Sequence, residues 1–286
     1  MLYDTHIDTS GGVGNMTNDE KLIKLLQTKN QVAADREQYV AMANKLAERA
    51  RADLTLPELR LLRYVLSKVK PDDSPDTDYE IDIKTFLMVC GMTTRSGANY
   101  ATVKRQIENL WVKHFWIRDG AGRETGVQWI MRPVIDSGMG RITVRLDPSI
   151  HQYVLGLIRA GRYFQYQLLY ILPMRSVYSI RLYEYIKAVG YRKRTRLVDI
   201  EALRTVLECL DIYPNFKDLR RRVLDTACEE ITAYTDLFVS YEPVFTGRRV
   251  AGVEFTIRQR NAAAMAPIMD ADHSILDGQM DIYDYL

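Results

Sequence analysis

Between Gln31 and Ala50, the apolar residues Val32, Tyr39, Met42, Ala43, Leu46 and Ala50 fall mainly three and four positions apart, the spacing of an amphipathic helix. A second helix opens at Leu56-Pro57-Glu58-Leu59, with Thr55 as cap and Pro57 in the first turn. It continues through Leu62, Val65 and Val69 to Lys70, and Pro71-Asp72-Asp73-Ser74-Pro75-Asp76 closes it as a loop. One arrangement then occurs twice. In 83–118, Asp82-Ile83-Lys84-Thr85-Phe86-Leu87 starts a short helix and Gly91 to Gly97 breaks it. Tyr100 to Lys113 forms a longer helix before the strand Phe115-Trp116-Ile117-Arg118. In 198–240, Asp199-Ile200-Glu201-Ala202-Leu203 is followed by a turn at Leu210 to Pro214, a helix from Phe216 to Tyr234 and the strand Leu237-Phe238-Val239-Ser240. A long-period repeat is a statement about architecture. Two helices joined by a turn, with a strand hairpin behind them, form the winged variant of the helix-turn-helix, whose second helix enters a DNA major groove.

Hairpins for both copies are visible as alternating runs. Val127-Gln128-Trp129-Ile130-Met131 and Arg141 to Leu146 surround the turn Asp136-Ser137-Gly138, and Phe238 to Glu242 and Val250 to Ile257 surround Thr246-Gly247-Arg248-Arg249. Asp147-Pro148 opens a helix through Leu157, and the aromatic stretch from Tyr163 to Gln167 leads into the second unit. The expected plan is α+β, two tandem winged-helix domains related by an internal pseudo-repeat. A flexible leader occupies 1–30, the first domain 31–160, the second 161–260 and a disordered acidic tail 261–286.

A length of 286 residues and 47% hydrophobic composition suit two soluble domains. No apolar run approaches the ~18 residues of a membrane span, and the first residues lack the order of a secretory signal, so a cytoplasmic protein is expected. Cys90, Cys209 and Cys228 have no metal-ligand spacing and read as small core hydrophobes. Charge becomes informative once divided. Residues 261–286 hold five aspartates and no Lys or Arg, so of a net +2 the tail carries −5 and residues 1–260 carry +7. A basic body suits a polyanionic partner, and an acidic tail is either solvated or a competitor for that basic surface.

At about 100° per residue, Phe216, Leu219, Val223, Ala227, Glu230 and Tyr234 share one arc of their helix, and Lys217, Arg220, Arg221 and Arg222 lie off it or on its flanks. A solvated helix face has the same composition, but this cluster begins the second helix after a tight turn, where a winged helix reads bases. Tyr213 and Asn215 add polar contacts there, and Arg248 and Arg249 sit on the wing. The first copy buries Tyr100, Val103, Ile107, Leu110, Trp111 and His114, with His114 a core residue. It presents Arg95, Ser96, Asn99, Lys104 and Arg105, with Arg123 at its wing tip, a weaker surface suited to backbone contact. Arg175, Ser176, Ser179 and Arg181 at a helix start, and the run Arg192-Lys193-Arg194, are candidate phosphate contacts.

The enzymatic signatures sought are missing. The four histidines form no His-hydrophobic-His pair of a rolling-circle nickase, and no Walker sequence, His-Glu-x-x-His site or Gly-x-Ser-x-Gly elbow occurs. The Gly-rich run at residues 10–15 follows no strand and lacks the Gly-Lys-Ser/Thr ending of a phosphate loop. A DNA-binding protein with neither catalytic residues nor metal or other cofactor is the expectation.

The pairing of Tyr178-Ser179-Ile180-Arg181-Leu182-Tyr183-Glu184 with Tyr213-Pro214-Asn215-Phe216-Lys217-Asp218-Leu219-Arg220-Arg221-Arg222-Val223-Leu224 resembles the replication initiators of iteron-containing plasmids. The likeness runs from about Asn44 to Ile257 and includes Leu54 to Leu62. It implies two winged-helix domains that bind repeated sequences in double-stranded origin DNA, monomers that initiate and dimers that repress their own promoter. It also implies opening of an AT-rich segment and recruitment of the host initiator protein and replicative helicase. On that likeness the recognition helices correspond to Asn215–Arg222 and Asn99–Arg105. A transcriptional repressor without a replicative role, and a structural or partition adaptor, remain as alternatives.

Overall fold

The computed structural model describes residues 17–92, 94, 97–118, 121–157, 161–190 and 195–279. Two units of the same plan are built in tandem. In the first, β3 (Asp78–Asp82) leads into α4 (Ile83–Val89), then α5 (Gly97–Val112), and β6 (Ile130–Asp136) and β7 (Arg141–Leu146) form the wing. The strand order β3-β7-β6 places the entering strand against the returning one. In the second, β9 (Thr195–Asp199), α8 (Ile200–Leu207), a helix from Phe216 to Tyr234, β10 (Leu237–Thr246) and β11 (Arg249–Gln259) follow, with order β10-β11-β9. The matched orders show the pseudo-repeat and the α+β fold of two winged helices.

Local chemistry sets these boundaries. Asp82 accepts from the Thr85 amide at 2.7 Å and starts α4; Asp199 accepts from the Glu201 and Ala202 amides at 2.9 and 3.1 Å and starts α8. Strand alternation delivers Tyr79, Ile81, Ile142, Val144 and Leu146 to one core and Val253, Phe255 and Ile257 to the other. A Cβ at Gly252 would lie 2.6 Å from the Val198 carbonyl, so only glycine lets β9 and β11 close there.

Several elements depart from the sequence pattern. The single helix expected over 31–50 is three pieces: α1 (Asn18–Glu37), β1 (Tyr39–Ala43) and α2 (Asn44–Arg49). Tyr39–Ala43 pairs antiparallel with β8 (Tyr163–Gln167), Tyr39 opposite Gln167, so tertiary pairing overrides the helical spacing. This pairing also ties the chain after residue 160 back to the first unit. Helix α1 shows that residues 18–30, expected in a flexible leader, are ordered. Thr17 and Glu20 form a capping box, and Leu25 and Val32 are buried. The helix expected from Asp147 to Leu157 is a 3₁₀ turn at Pro148–Ile150 and a single turn α6 (His151–Val154).

In the first unit an extra hairpin, β4 (His114–Arg118) with β5 (Glu124–Gln128), lies between α5 and the wing, and β4 also pairs with β2 (Ala50–Arg51). Leu237–Ser240 is therefore matched by β6 and not, as expected, by Phe115–Arg118, and β4 has no counterpart in the second unit. Residues 127–131 do not form one wing strand: β5 ends at Gln128 and β6 begins at Ile130. Trp111 is 48% exposed and His114 is an exposed strand residue, so neither belongs to the buried arc of α5. Residues 262–279, expected in a disordered tail, form α11 (Ala262–Gln279). Asp272 of this helix is buried against Arg36 of α1, with Arg36 Nε donating to both carboxylate oxygens at 2.9 and 3.0 Å and the same guanidinium donating to the Val89 carbonyl.

Candidate nucleic-acid interface

The second helix of the second unit is not a uniform α-helix. α9 (Phe216–Leu219) passes through a π turn at Arg220–Leu224 into α10 (Asp225–Tyr234). A π turn inserts one residue and changes the phase of everything beyond it. Leu219 and Val223 are fully buried, as the spacing predicts, but so are Leu224 and Ile231, and Cys228 is nearly so. Together with Ala227 they make a second stripe at 224, 227, 228 and 231. The extra residue carries Arg220, Arg221 and Arg222 to the outside of the widened turn, and all three are exposed, as is Lys217. Arg220 stands 3.8 Å from Asp225 and Arg221 3.6 Å from Asp218, exposed pairs that hold the side chains only weakly. Among the described residues, Lys217 and Arg222 make no ion pair.

The flanking candidates divide. Asn215 is the cap of α9: its side-chain carbonyl accepts from the Asp218 amide at 2.8 Å and its amide donates to the Asp218 carboxylate at 2.6 Å. Tyr213 is half-buried and meets Tyr178 edge-on at 6.1 Å, while its main-chain carbonyl accepts from Arg204. Burial and the Tyr213 neighbour push Tyr178 up to about 12. Both residues thus shape the turn that presents the helix. Arg248 and Arg249 are exposed at the wing tip, where Gly247 takes φ +63°, the left-handed turn geometry a Cβ would strain. Tyr241 of β10 donates to Asp225, which fixes the wing to the start of α10. Burial, then that carboxylate, holds the Tyr241 hydroxyl well above its usual range.

On the first unit, Lys104 projects from α5 and donates to Ser137 Oγ at 2.6 Å, which brings α5 and the wing together; the sequence marked Ser137 only as part of the wing turn. Arg105 is exposed and Asn99 half-buried in the first turns of α5. Arg123 is on the β4–β5 connection rather than the wing tip, because the extra hairpin precedes the wing. Arg95 and Ser96, like Arg192, Lys193 and Arg194, lie outside the described residues.

The phosphate site expected at the start of α7 (Val177–Val189) is occupied by the protein itself. The Arg175 and Ser176 amides donate to the Glu230 carboxylate at 2.8 and 3.3 Å, and Ser176 Oγ caps the Tyr178 amide at 3.2 Å. Ser179 is fully buried. Arg181 donates to the Leu207 carbonyl at 3.1 Å and the Ala52 carbonyl at 2.9 Å, and pairs with Glu208 at 2.7 Å. Arg175 alone of these four stays exposed. The stretch Tyr178–Glu184 is therefore an internal tie. Glu184 accepts from Arg63 of α3 (Leu56–Ser67) at 2.6 and 2.9 Å and from Tyr166 at 2.5 Å, and Tyr183 donates to Asp236 at 2.7 Å. Burial alone would lower the Arg63 guanidinium, but the Glu184 carboxylate beside it raises it further. These contacts join α3 to α7 and to Tyr166 of β8.

Among the described residues, no group of His, Cys, Asp and Glu side chains is arranged to hold a metal, and no helix is long and apolar enough to cross a membrane. Two family models match the chain: "Initiator Replication protein, WH1" over residues 39–187 and "Initiator Rep protein, WH2" over residues 199–257. A solved structure of the Pi initiator protein in complex with iteron DNA is similar, with TM-score 0.67 and 18% identity over 79% of this chain and 99% of that one. A structure of domains 2 and 3 of RctB matches with TM-score 0.45 and 16% identity over 78% of this chain and 92% of that one.

Proposed function

This chain belongs to the initiator replication protein family, with the WH1 and WH2 modules in order, and on that premise we propose that it initiates plasmid replication by binding repeated sequences in double-stranded origin DNA. The observation that carries this reading is the π turn that sets Arg220, Arg221 and Arg222 outside a second helix whose first turn is capped by Asn215. Guanidinium groups at that position meet base edges and phosphates in a major groove. The similar Pi protein was solved on iteron DNA. Lys217, Arg220, Arg221 and Arg222 with Arg248 and Arg249 read sequence, and Lys104 and Arg105 with Asn99 set register on the backbone. The chemistry is binding and distortion of DNA, not a reaction.

Dimerisation and autorepression belong to the same proposal. Trp111, Val112 and Trp116 are 48%, 62% and 53% exposed at the end of α5 and on β4, an apolar cluster of the kind that seeks a protein surface. A second copy covers it in the repressing dimer, and the host initiator protein and replicative helicase act with the monomer at the origin. The protein works in the cytoplasm on the plasmid. A minimal replicon carrying only this gene and its flanking DNA tests the proposal. Stable maintenance that disappears with Arg221→Ala is expected. Promoter repression without any maintenance would reduce the function to that of a repressor.

A further inference from the structure

Side chains alternate along β10, so Leu237, Val239, Tyr241, Pro243 and Phe245 share the face that packs on the helices. At the base of the strand this face is core: Leu237 is fully buried and Val239 is 6% exposed. Midway, Tyr241 reaches Asp225 at the start of α10, the same carboxylate that faces Arg220. Beyond that point the hairpin outruns the helices, and Phe245 is left 59% exposed. Val250 stands opposite it on β11, next to a bulge that shifts the register at Val244/Phe245 and twists the wing tip. Phe238, on the opposite face, is 40% exposed and carries the Arg260 guanidinium 3.9 Å from its ring centroid.

Phe245 thus extends from the same side of the sheet as the recognition helix, two residues before the turn that carries Arg248 and Arg249. A DNA duplex lying against Arg220 to Arg222 meets this ring, and the cations beyond it draw the wing to the phosphates on either side of a groove. An apolar ring in that position has a defined use: it enters the minor groove, separates two stacked base pairs and bends the duplex. We propose that Phe245 is such a wedge, inserted in the minor groove beside the segment read by the second recognition helix. The inference rests on the DNA-binding reading above and adds to it the residue that couples binding to distortion.

The test uses the full chain and duplexes carrying the repeats next to its gene, with 2-aminopurine placed at successive steps and bending read by circularly permuted gel shifts. Wild-type protein is expected to bend the repeat and to raise 2-aminopurine fluorescence at one flanking step. Phe245→Ala should lose both signals and about tenfold in affinity, which corresponds to the stacking of one ring. It should keep the wild-type salt dependence and melting temperature, since the ring touches neither phosphate nor core. Phe245→Leu should retain most of the bend. Full bending and fluorescence with Phe245→Ala, alongside loss of binding by Arg221→Ala, would overturn the wedge and leave the DNA-binding reading standing. Failure of wild-type protein to bind the repeats would instead remove the reading on which the wedge depends.

Discussion

Glu184→Ala removes the acceptor at the centre of the buried tie between α3 and α7. Its carboxylate takes two hydrogen bonds from Arg63, at 2.6 and 2.9 Å, and one from Tyr166 at 2.5 Å. The side chains of Arg63 and Glu184 are only 8% and 4% exposed, so water cannot replace what is lost. The remaining guanidinium would be a buried charge facing a cavity, and Arg63 Nη1 has no partner even in the intact protein. Truncating one member of a buried pair in this setting costs about 3–5 kcal/mol, whereas exchanging both members for apolar residues of similar volume is near neutral. Equilibrium urea unfolding, followed by both circular dichroism and tryptophan fluorescence, should show that loss for Glu184→Ala. The double substitution Arg63→Met with Glu184→Leu should recover most of it, a coupling visible in a double-mutant cycle. A loss below about 1 kcal/mol, the value of a solvent-exposed ion pair, would refute the reading of this contact as a buried tie between α3 and α7.

Arg105→Ala should weaken binding to the repeats and lower the slope of log affinity against log salt by about 0.9, the effect of one phosphate contact; a fall in affinity with the slope unchanged would assign the residue to base reading instead. Asp272→Ala strips the partner from Arg36, whose side chain is 3% exposed. Faster hydrogen exchange throughout α11, with unchanged exchange in α10, is the expected result, at a cost of about 3 kcal/mol. Burial alone would raise the Glu58 carboxyl, but Lys113 at 2.7 Å, the Thr55 amide and Asn109 outweigh it and hold the group below its ordinary 4.5. A lowered folded value means stability that is present above pH 4.5 and is lost as pH falls through the folded value. The stability difference between wild type and Glu58→Gln should therefore be constant above pH 4.5 and shrink below it.

Period and caps in the sequence were enough to locate both winged helices, because Asp82, Asp199 and the alternating strands act locally. What escaped is set by contacts distant in sequence. Tyr39–Ala43 fits a helix by spacing and becomes a strand only because Tyr163–Gln167 offers it an edge. Leu224 and Ile231 lie off the arc of a straight helix, and only the π turn turns them inward. Ser179 and Arg181 have the composition of a phosphate site, yet Glu230, Glu208 and main-chain carbonyls claim that region, and no local pattern announces a carboxylate 55 residues away. Phe245 was readable in principle, since its parity with Leu237, Val239 and Tyr241 is written in the strand. That the wing extends past its helices, and so leaves this one ring bare, is a matter of relative length that the pattern does not convey.

In the function proposed, this two-winged-helix chain reads repeated DNA through the outer face of its second recognition helix. Nuclease protection on DNA flanking the gene, titrated at several salt concentrations with wild-type and Arg220→Ala/Arg221→Ala proteins, tests it most directly. Regularly spaced protected repeats, affinity that falls steeply with salt, and loss of protection at those repeats in the double variant are expected. Uniform or absent protection by the wild-type protein, or an unchanged footprint with both arginines removed, would contradict it.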